Sequence, residues 1–320
     1  MACELPQDLG ERWFLHMRRG DFAAAWRLSD SVLRARQDLS CAHLPRHLQW
    51  VWDGRSLQDK RVLIRCYHGL GDTVQFIRYA PVVKALGSQV RVMAPGELLP
   101  LLSTVGGIDA LAPLETTAGK WDYDVDVEVM ELPHVFRSTL KTLPAEIPYI
   151  RVPPAPPLHS GSLAVGIVWS AGPGWNPRRS IPFSEIRPLA RIPGVSLFIL
   201  QRGAAAAEAI GFGTDIGTDD IFAAARIMHS LDLVISVDSM PAHLAGALGV
   251  SVWTLLHKEA DWRWMDERED SPWYPTMRLF WQPGTGSWRP VIAAVAAELA
   301  KLSSRRANLN QLSQARIINK

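Results

Sequence analysis

The sequence predicts an α/β protein with two doubly wound parallel sheets, one in each half of the chain. Buried-strand patterns alternate with helical patterns from residue 60 onward, as in folds whose helices cover both faces of a parallel sheet. In addition, a buried strand, a tight polar turn and a helix follow one another twice, at residues 61–79 and 233–248. The length of 320 residues fits two domains of about 100–200 residues each.

Composition and charge exclude several classes of protein. With 48% hydrophobic and 21% charged residues the chain has a globular composition, and a net charge of +2 provides no general attraction for nucleic acid or an anionic membrane. Cys3, Cys41 and Cys66 are far apart, which argues against a disulfide framework or structural zinc and favours a reducing compartment. No apolar run reaches the ~20 residues of a membrane span, and the N-terminus lacks the apolar core of a signal peptide. A cytoplasmic protein is therefore expected.

Residues 1–56 are expected to form a helical hairpin. Apolar and small side chains recur at helical spacing after the turn at residues 19–21, and they are Phe22, Ala25, Trp26, Ser29, Val32 and Leu33. This pattern is similar to the second half of a tetratricopeptide repeat, but only one copy is present, whereas such repeats need about three copies to be stable. A hairpin packed on the main body is therefore favoured over a remnant that docks a partner.

The next domain is assigned to residues 57–157. Its predicted strands are residues 61–66, 89–94 and 123–128. A helix is predicted over residues 73–86. Its end is indicated by Gly87, because glycine commonly stands just after the last residue of a helix. The proline-rich residues 152–157 are expected to link this domain to the following one.

The second α/β domain is assigned to residues 158–303, and residues 304–320 to a polar tail. Its predicted strands are residues 163–169, 195–200, 233–237 and 250–256. Its predicted helices are residues 184–191, 204–210, 219–230, 241–248 and 288–302. The regular alternation of the two predicts a second doubly wound parallel sheet.

The turn after the first strand carries a candidate catalytic residue. Asp72 lies where the strand gives way to a helix, close to Gly69 and Gly71. It is either the helix N-cap or a general base. His68 precedes the turn and is either a substrate contact or a solvated loop residue. The glycines do not complete a dinucleotide-binding fingerprint, which requires a third glycine at a set distance.

The corresponding turn in the second half favours a phosphate site. Asp238 and Ser239 are expected to cap the helix, and His243 lies one turn further along it. A capped helix with a buried histidine is the alternative. In both halves of the chain, free amides and the positive end of the helix dipole at this turn suit a phosphate or another anion, and Met240 lies among these amides in the second half.

A third candidate region is the glycine-rich loop 170–182. Arg178, Arg179 and Ser180 suit a phosphate clamp, and the alternative is a surface loop with two solvated charges. The position after a central strand favours the clamp, because ligands bind at the carboxyl ends of such strands. Further candidates for substrate contact are Trp169, Gln201, Lys258 and Glu259.

Other conspicuous residues have simpler explanations. Tryptophans crowd the C-terminal quarter at positions 253, 262, 264, 273, 281 and 288, and most are expected in the core. The charged residues of segment 258–263 are expected at the rim of a cleft, since they cannot all be buried without partners. The alternating acids of segment 122–126 are expected on a solvent face, so no metal is assigned. Motifs of zinc peptidases, serine hydrolases and P-loop proteins are absent from the sequence.

Four ordered motifs resemble the ADP-heptose:lipopolysaccharide heptosyltransferases, the family 9 glycosyltransferases, and in particular their tetratricopeptide-linked bacterial branch. The motifs span roughly residues 60–300. They are Gly69-Leu-Gly-Asp-Thr-Val-Gln-Phe-Ile-Arg-Tyr-Ala-Pro81; Val165-Gly-Ile-Val-Trp169 with Arg179-Ser-Ile-Pro182; Val234-Ile-Ser-Val-Asp-Ser-Met-Pro-Ala-His-Leu-Ala-Gly-Ala-Leu-Gly249; and Asp261-Trp-Arg-Trp264 with Arg268-Glu-Asp-Ser-Pro-Trp-Tyr-Pro275.

The resemblance implies a GT-B fold, in which two Rossmann-like domains face a cleft and the C-terminal domain holds a nucleotide-diphosphate sugar. It implies inverting transfer without a metal or other cofactor, with Asp72 as the base and Arg179 or Arg178 neutralising the diphosphate. Asp238, Ser239 and the following amides would hold the donor, with His243 alongside. Met240 replaces the family's usual glycine and arginines replace its lysine, which leaves the sugar and the nucleotide open.

The acceptor is open as well: a protein side chain, a glycan or a small natural product. Two other classes of function remain as alternatives. One is a binding or scaffold protein that has kept the fold and lost catalysis. The other, a nucleotide-sugar epimerase or dehydrogenase, is disfavoured because the dinucleotide fingerprint is absent.

Overall fold

The computed structural model describes residues 7–35, 51–115, 122–158, 161–172 and 176–318, with the side chains of residue 7 and residues 310–318 left out. Cys3 and Cys41 lie outside the described residues, whereas Cys66 is buried.

The chain forms two compact units. The first consists of residues up to Arg151 together with two later segments, Asp261–Arg268 and Pro272–Pro275. The second contains the rest, from Val152 onward. The described N-terminal helices belong to the same unit as the first sheet, and the first division between the units comes after residue 151. The return of the chain to the first unit after residue 260 was not predicted.

The N-terminal hairpin consists of helices α1 (Gln7–Arg18) and α2 (Phe22–Ala35). Gly20 takes the left-handed backbone conformation (φ +73°) that the tight turn between them requires. The indole Nε1 of Trp26 donates a hydrogen bond to the carbonyl of Ser138 at 2.7 Å, which ties α2 to the body of the first unit. The hairpin is thus packed on the first unit, as favoured above.

The first unit contains a four-stranded parallel sheet in the order β3-β2-β1-β4. The strands are β1 (Arg61–Arg65), β2 (Gln89–Ala94), β3 (Ala110–Pro113) and β4 (Val125–Glu128). The helices are α3 (Leu70–Phe76), α4 (Ala80–Lys84), α5 (Leu99–Leu102) and α6 (Leu132–Val135). The predicted helix 73–86 is interrupted by a 3-10 turn, Ile77–Tyr79, just before Pro81, because proline cannot donate the helical hydrogen bond.

The acids of segment 122–126 are paired with arginines of the neighbouring strand β1, so they do not form a plain solvent face. Arg61 binds Asp122 and also Asp124, the latter through Nη2 and Oδ1 at 2.6 Å. Arg65 binds Asp126 through Nε and Oδ1 at 2.6 Å. The hydrogen bonds from Arg61 lower the pKa of Asp124 below its ordinary value.

The second unit contains a six-stranded parallel sheet in the order β10-β9-β8-β5-β6-β7. The strands are β5 (Leu163–Val168), β6 (Val195–Ile199), β7 (Thr214–Asp215), β8 (Leu233–Val237), β9 (Val252–Leu256) and β10 (Met277–Trp281). The helices are α7 (Phe183–Ile186), α8 (Ile221–Met228), α9 (Met240–Ala247) and α10 (Arg289–Ile318). The two parallel sheets confirm the predicted α/β class.

Several predicted elements of the second unit differ in detail. The helix expected over residues 184–191 becomes the short α7 followed by a 3-10 turn, since Pro188 ends the α-helical hydrogen bonding. The helix expected over residues 204–210 is a 3-10 turn, Ala204–Ala209. The last helix, α10, continues through most of the expected polar tail.

The proline-rich stretch packs on the second unit and is no free linker. The amide of Ala155 donates to the carbonyl of Arg226 at 3.0 Å, and the hydroxyl of Ser230 donates to the carbonyl of Ala155 at 2.6 Å.

Candidate functional site

Each sheet has one topological switch point, where the chain leaves a central strand toward opposite edges of the sheet. In the first unit it lies between β1 and β4, and in the second unit between β5 and β8. Ligands of doubly wound proteins bind outside the carboxyl ends of the strands at such points. The residues that follow these four strands are therefore the ones to inspect.

Asp72 follows β1 as the third residue of α3. Gly69 is the N-cap, so the expectation that Asp72 is the N-cap itself was wrong. The Oδ2 atom of Asp72 accepts a hydrogen bond from the Gly69 amide at 2.9 Å. A Cβ atom at position 69 would lie 3.1 Å from this oxygen, so glycine leaves room for the carboxylate. The start of α3 is thus filled by the chain's own carboxylate, and it is not the open anion site that we expected.

The second oxygen of Asp72 binds an arginine from the far end of the sequence. Oδ1 accepts a hydrogen bond from Nη1 of Arg263 at 2.7 Å, across a sequence separation of 191 residues. The Arg263 side chain is only 9% exposed. The prediction that Arg263 lies at the rim of a cleft was wrong. Carboxylates pair with its guanidinium and so allow it to be buried. No local pattern in the sequence could have revealed this pair.

Glu128 is a second carboxyl at the same switch point and was missed in the sequence. It ends β4 opposite Arg65 of β1 and is 4% exposed. Its Oε2 atom accepts a hydrogen bond from the Met130 amide at 2.6 Å. Burial, with smaller contributions from the charges of Glu131 and Asp72, raises the pKa of Glu128 well above its ordinary value. Its position at the end of a strand was the available signal.

The other residues of this turn are more exposed. The Nε2 atom of His68 lies 3.9 Å from Oε2 of Glu128, and the His68 side chain is 38% exposed. Gly71 lies within the first turn of α3. The switch point of the first unit therefore combines one exposed histidine with the carboxyls of Asp72 and Glu128.

The second switch point carries basic side chains. Nη1 of Arg179, in the loop after β5, donates to the carbonyl oxygen of Asp238, at the end of β8, at 2.9 Å. Arg178 is exposed and pairs with Glu259. The hydroxyl of Ser180 accepts a hydrogen bond from the Ala171 amide at 3.1 Å, which closes the base of the loop. The loop thus brings a guanidinium to the point where a phosphate was expected.

The start of α9 is less open to an anion than predicted. Ser239 is the N-cap, but its hydroxyl donates backward to the Val237 carbonyl at 3.2 Å and makes no capping bond. Pro241 has no N–H, and the Ala242 amide donates to the Ser239 carbonyl at 3.0 Å. Among the first three helical positions, only Met240 retains an amide for a ligand.

The polar residues on this turn are largely buried. Asp238 is 6% exposed and His243 is 2% exposed. His243 therefore lies in the interior of the second unit.

Two of the predicted substrate contacts have structural roles. Trp169 is 1% exposed and packs against Phe183, with 5.2 Å between the ring centroids. Gln201 accepts hydrogen bonds from the amides of Trp169 at 3.0 Å and Ser170 at 2.8 Å, and so braces the first residues of the loop. Lys258, like Glu259, is exposed.

A cavity of about 510 Å³ lies beside this loop. Its polar lining comes from Ser170, Ser180, Ser184, Arg187 and Glu208. Within the residues that the structure describes, no group of three or more His, Cys, Asp or Glu side chains could hold a metal ion, and no helix is long and apolar enough to cross a membrane.

Comparison with solved structures identifies the fold. A family 9 glycosyl transferase from Veillonella parvula superposes with a TM-score of 0.56 at 12% identity, covering 71% of this chain and 87% of that one. The chain has the fold of the family 9 glycosyltransferases. The E. coli heptosyltransferase WaaC, solved with ADP, superposes with a TM-score of 0.53 at 14% identity, covering 75% of this chain and 99% of that one.

Sequence comparison adds one relative. Protein FlbA of Caulobacter vibrioides is 27% identical over 288 residues, which cover 78% of this chain and 48% of that protein. The chain thus spans about half the length of this relative. No protein-family profile matches the sequence.

Proposed function

We propose that this protein is a glycosyltransferase that moves a sugar from a nucleotide-diphosphate sugar to an acceptor hydroxyl or a similar nucleophile. The observation that carries the proposal is the division of charge between the two switch points. Carboxyls stand at the switch point of the first unit and a guanidinium at that of the second, on the fold of the heptosyltransferases. Such a division suits a reaction that removes a proton from one substrate and stabilises an anionic leaving group on the other.

Asp72 would act as the general base. As the acceptor oxygen attacks the anomeric carbon, its proton passes to a carboxylate oxygen of Asp72. The bond between the anomeric carbon and the phosphate oxygen breaks, and the nucleoside diphosphate leaves with the bonding electrons. One displacement of this kind inverts the configuration at the anomeric carbon.

Arg179 would stabilise the leaving diphosphate. Its guanidinium lies against the end of β8, where Nη1 donates to the Asp238 carbonyl in the hydrogen bond given above. A planar guanidinium binds phosphate oxygens in a fixed geometry. This arrangement favours charge stabilisation by a side chain, and so a transfer that proceeds without a metal ion.

The donor is proposed as a nucleoside-diphosphate sugar of the ADP-heptose type. The solved relative with ADP supports an adenine nucleotide as the first candidate. Met240 stands where the family's usual residue is glycine, so other sugars should be tested as well. We place the reaction in the cytoplasm, where activated nucleotide sugars are made.

A binding panel followed by a turnover assay tests the proposal. Nucleoside diphosphates and their sugars would be compared by thermal shift, with the nucleoside monophosphates as controls that lack the diphosphate. We expect one diphosphate to raise Tm selectively, because a ligand at 100 times its Kd adds about 2.7 kcal/mol of stability. The matching sugar nucleotide should then release its diphosphate on incubation with the enzyme. The absence of a shift with every compound would contradict the proposal and favour a protein that has the fold without the activity.

A further inference from the structure

Asp72 is held by a segment of the chain that lies far from it in sequence. Arg263 donates through Nη1 to Asp72 at 2.7 Å and to the side-chain oxygen of Gln75 at 3.1 Å, while its Nε donates to Asp261 at 2.8 Å. The guanidinium carbon lies 5.7 Å from the ring centroid of Phe76, which ends the same helix as Asp72. One arginine therefore joins three side-chain oxygens in the interior of the first unit.

The segment that carries Arg263 is itself tightly fixed. Asp261 accepts a hydrogen bond from the Arg263 amide at 3.1 Å, and the indole of Trp273 donates to the Arg263 carbonyl at 2.9 Å. Met265 and Glu267 have φ values of +58° and +61°, in the left-handed region that side chains other than glycine avoid. Residues in this conformation persist where their surroundings hold them. The backbone is thus kept in an unfavourable shape at this position.

The segment is also attached to the rest of the first unit through a residue other than Arg263. Arg18 of α1 binds Asp266 through Nη2 and Oδ1 at 2.6 Å, and the Asp266 amide donates to the Arg18 carbonyl at 2.9 Å. This pair attaches the same segment to the first unit without touching Asp72. The segment is therefore attached to the rest of the first unit at a second point, away from Asp72.

The guanidinium of Arg263 keeps a carboxylate partner when Asp72 becomes neutral. On accepting a proton, Asp72 becomes neutral, and a buried guanidinium that lost its only carboxylate would be strongly destabilised. Asp261 prevents this, because it pairs with Arg263 through a different nitrogen. The two carboxylate oxygens of Asp72 accept the hydrogen bonds from Gly69 and Arg263 given above.

We propose that Arg263 is the positioning residue of the general base: it fixes the carboxylate of Asp72 in its ionised form and in one orientation. The inference rests on the proposed role of Asp72. The ionisable groups around that carboxylate are Arg263 and Asp261 from this segment, Glu128 from the end of β4, and His68 before α3.

The test compares Arg263→Gln and Arg263→Lys with Arg18→Gln, which weakens the same segment away from Asp72. Protein labelled with ¹³C at the aspartate carboxyl would be titrated by NMR, with the Asp72 signal assigned by its loss in Asp72→Asn. We expect the midpoint of Asp72 to move to higher pH in Arg263→Gln, because a neighbouring cation favours the carboxylate. In Arg18→Gln it should stay in place. An unchanged midpoint in Arg263→Gln, or an equal movement in both variants, would overturn the proposal.

Turnover provides the second readout, with ADP-heptose as the probe and water as the acceptor. We expect kcat for ADP release to fall about 10- to 100-fold in Arg263→Gln while KM changes little, because the defect is in the base and not in donor binding. Arg263→Lys retains the charge but not the planar fork, so kcat should still fall. A wild-type kcat in Arg263→Lys would overturn the positioning role.

The two proposals fail in different ways. If the wild-type protein releases no ADP but the Asp72 midpoint moves as expected, transfer from this donor is wrong and the role of Arg263 toward Asp72 stands. If ADP is released and the midpoint does not move, the glycosyltransferase proposal stands and Arg263 is a structural residue. Should Arg263→Gln fail to fold, the fall of kcat in Arg263→Lys decides the matter.

Discussion

The switch points of the two sheets have the same topology but present different side chains. In the first unit the strand ends carry Asp72 and the buried Glu128, whereas in the second unit Arg179 lies against the end of β8. The comparison shows that the winding of a parallel sheet determines where a ligand binds, while the side chains at that place determine which charge it accepts.

The helix starts differ in the same way. The start of α3 is filled by the carboxylate of Asp72, and the start of α9 has lost an amide to Pro241. Neither is a simple anion site of the kind that the two turns suggested in the sequence. We therefore expect that recognition of the proposed diphosphate depends on the guanidinium of Arg179 more than on the helix dipole.

The largest effect is expected at the acidic switch point. Asp72→Asn keeps the shape of the side chain and removes its basicity, so kcat should fall by about 10²- to 10⁴-fold. The measurement is diphosphate release at saturating sugar nucleotide. Asp109→Asn, which removes a partly exposed carboxylate paired with Lys84, is the matched control and should leave the rate unchanged. Retention of more than a tenth of the rate in Asp72→Asn would rule out its assignment as the base.

A smaller effect is expected at the basic switch point. Arg179→Ala removes a charged hydrogen-bond donor to phosphate, which is worth about 1.5–3 kcal/mol, so Kd for the nucleoside diphosphate should rise about 10- to 100-fold. Calorimetric titration measures it directly. Arg178→Ala should cost less, because Arg178 is exposed and engaged by Glu259. Equal losses in the two variants would show that the loop binds phosphate as a diffuse charge.

The smallest effect concerns stability and pH. Because the pKa of Glu128 is raised in the folded state, that state binds the proton more strongly than the unfolded chain does, and stability falls as pH rises from about 4.5 through the raised pKa. Glu128→Gln cannot ionise, so this decline should disappear. Urea unfolding between pH 5 and 8 would measure it, with a difference in slope of up to about 1.4 kcal/mol per pH unit.

Glu298 of the second unit serves as a control, because its pKa is lowered and not raised. Pairing with Lys301 and Arg278 lowers the pKa of Glu298 to about 2, so its contribution is complete above the ordinary pKa and is lost only as pH falls. Glu298→Gln should therefore leave the slope between pH 5 and 8 unchanged. A loss of slope in both variants would mean that Glu128 is not the group responsible.

The elements that could be predicted are those with strong local patterns. The strand at residues 233–237 was predicted with its observed bounds, since five apolar or small residues stand between polar turns. The strands β3, β7 and β10 were missed. β3 and β7 are only four and two residues long, and β10 follows a loop dense in charge and proline. The helix over residues 73–86 was predicted as continuous although Pro81 lies within it.

From the sequence alone came the two parallel α/β sheets, the turns after β1 and β8, and the candidates Asp72, Arg179 and Asp238, because periodicity and turn residues act over a few positions. Only the tertiary structure brought Arg263 to Asp72 and buried Glu128 beside them. Pairing between residues separated by 191 positions depends on how the chain packs. The sequence around an acid at the end of a strand does not show whether its carboxyl is solvated or buried, as that of Glu128 is.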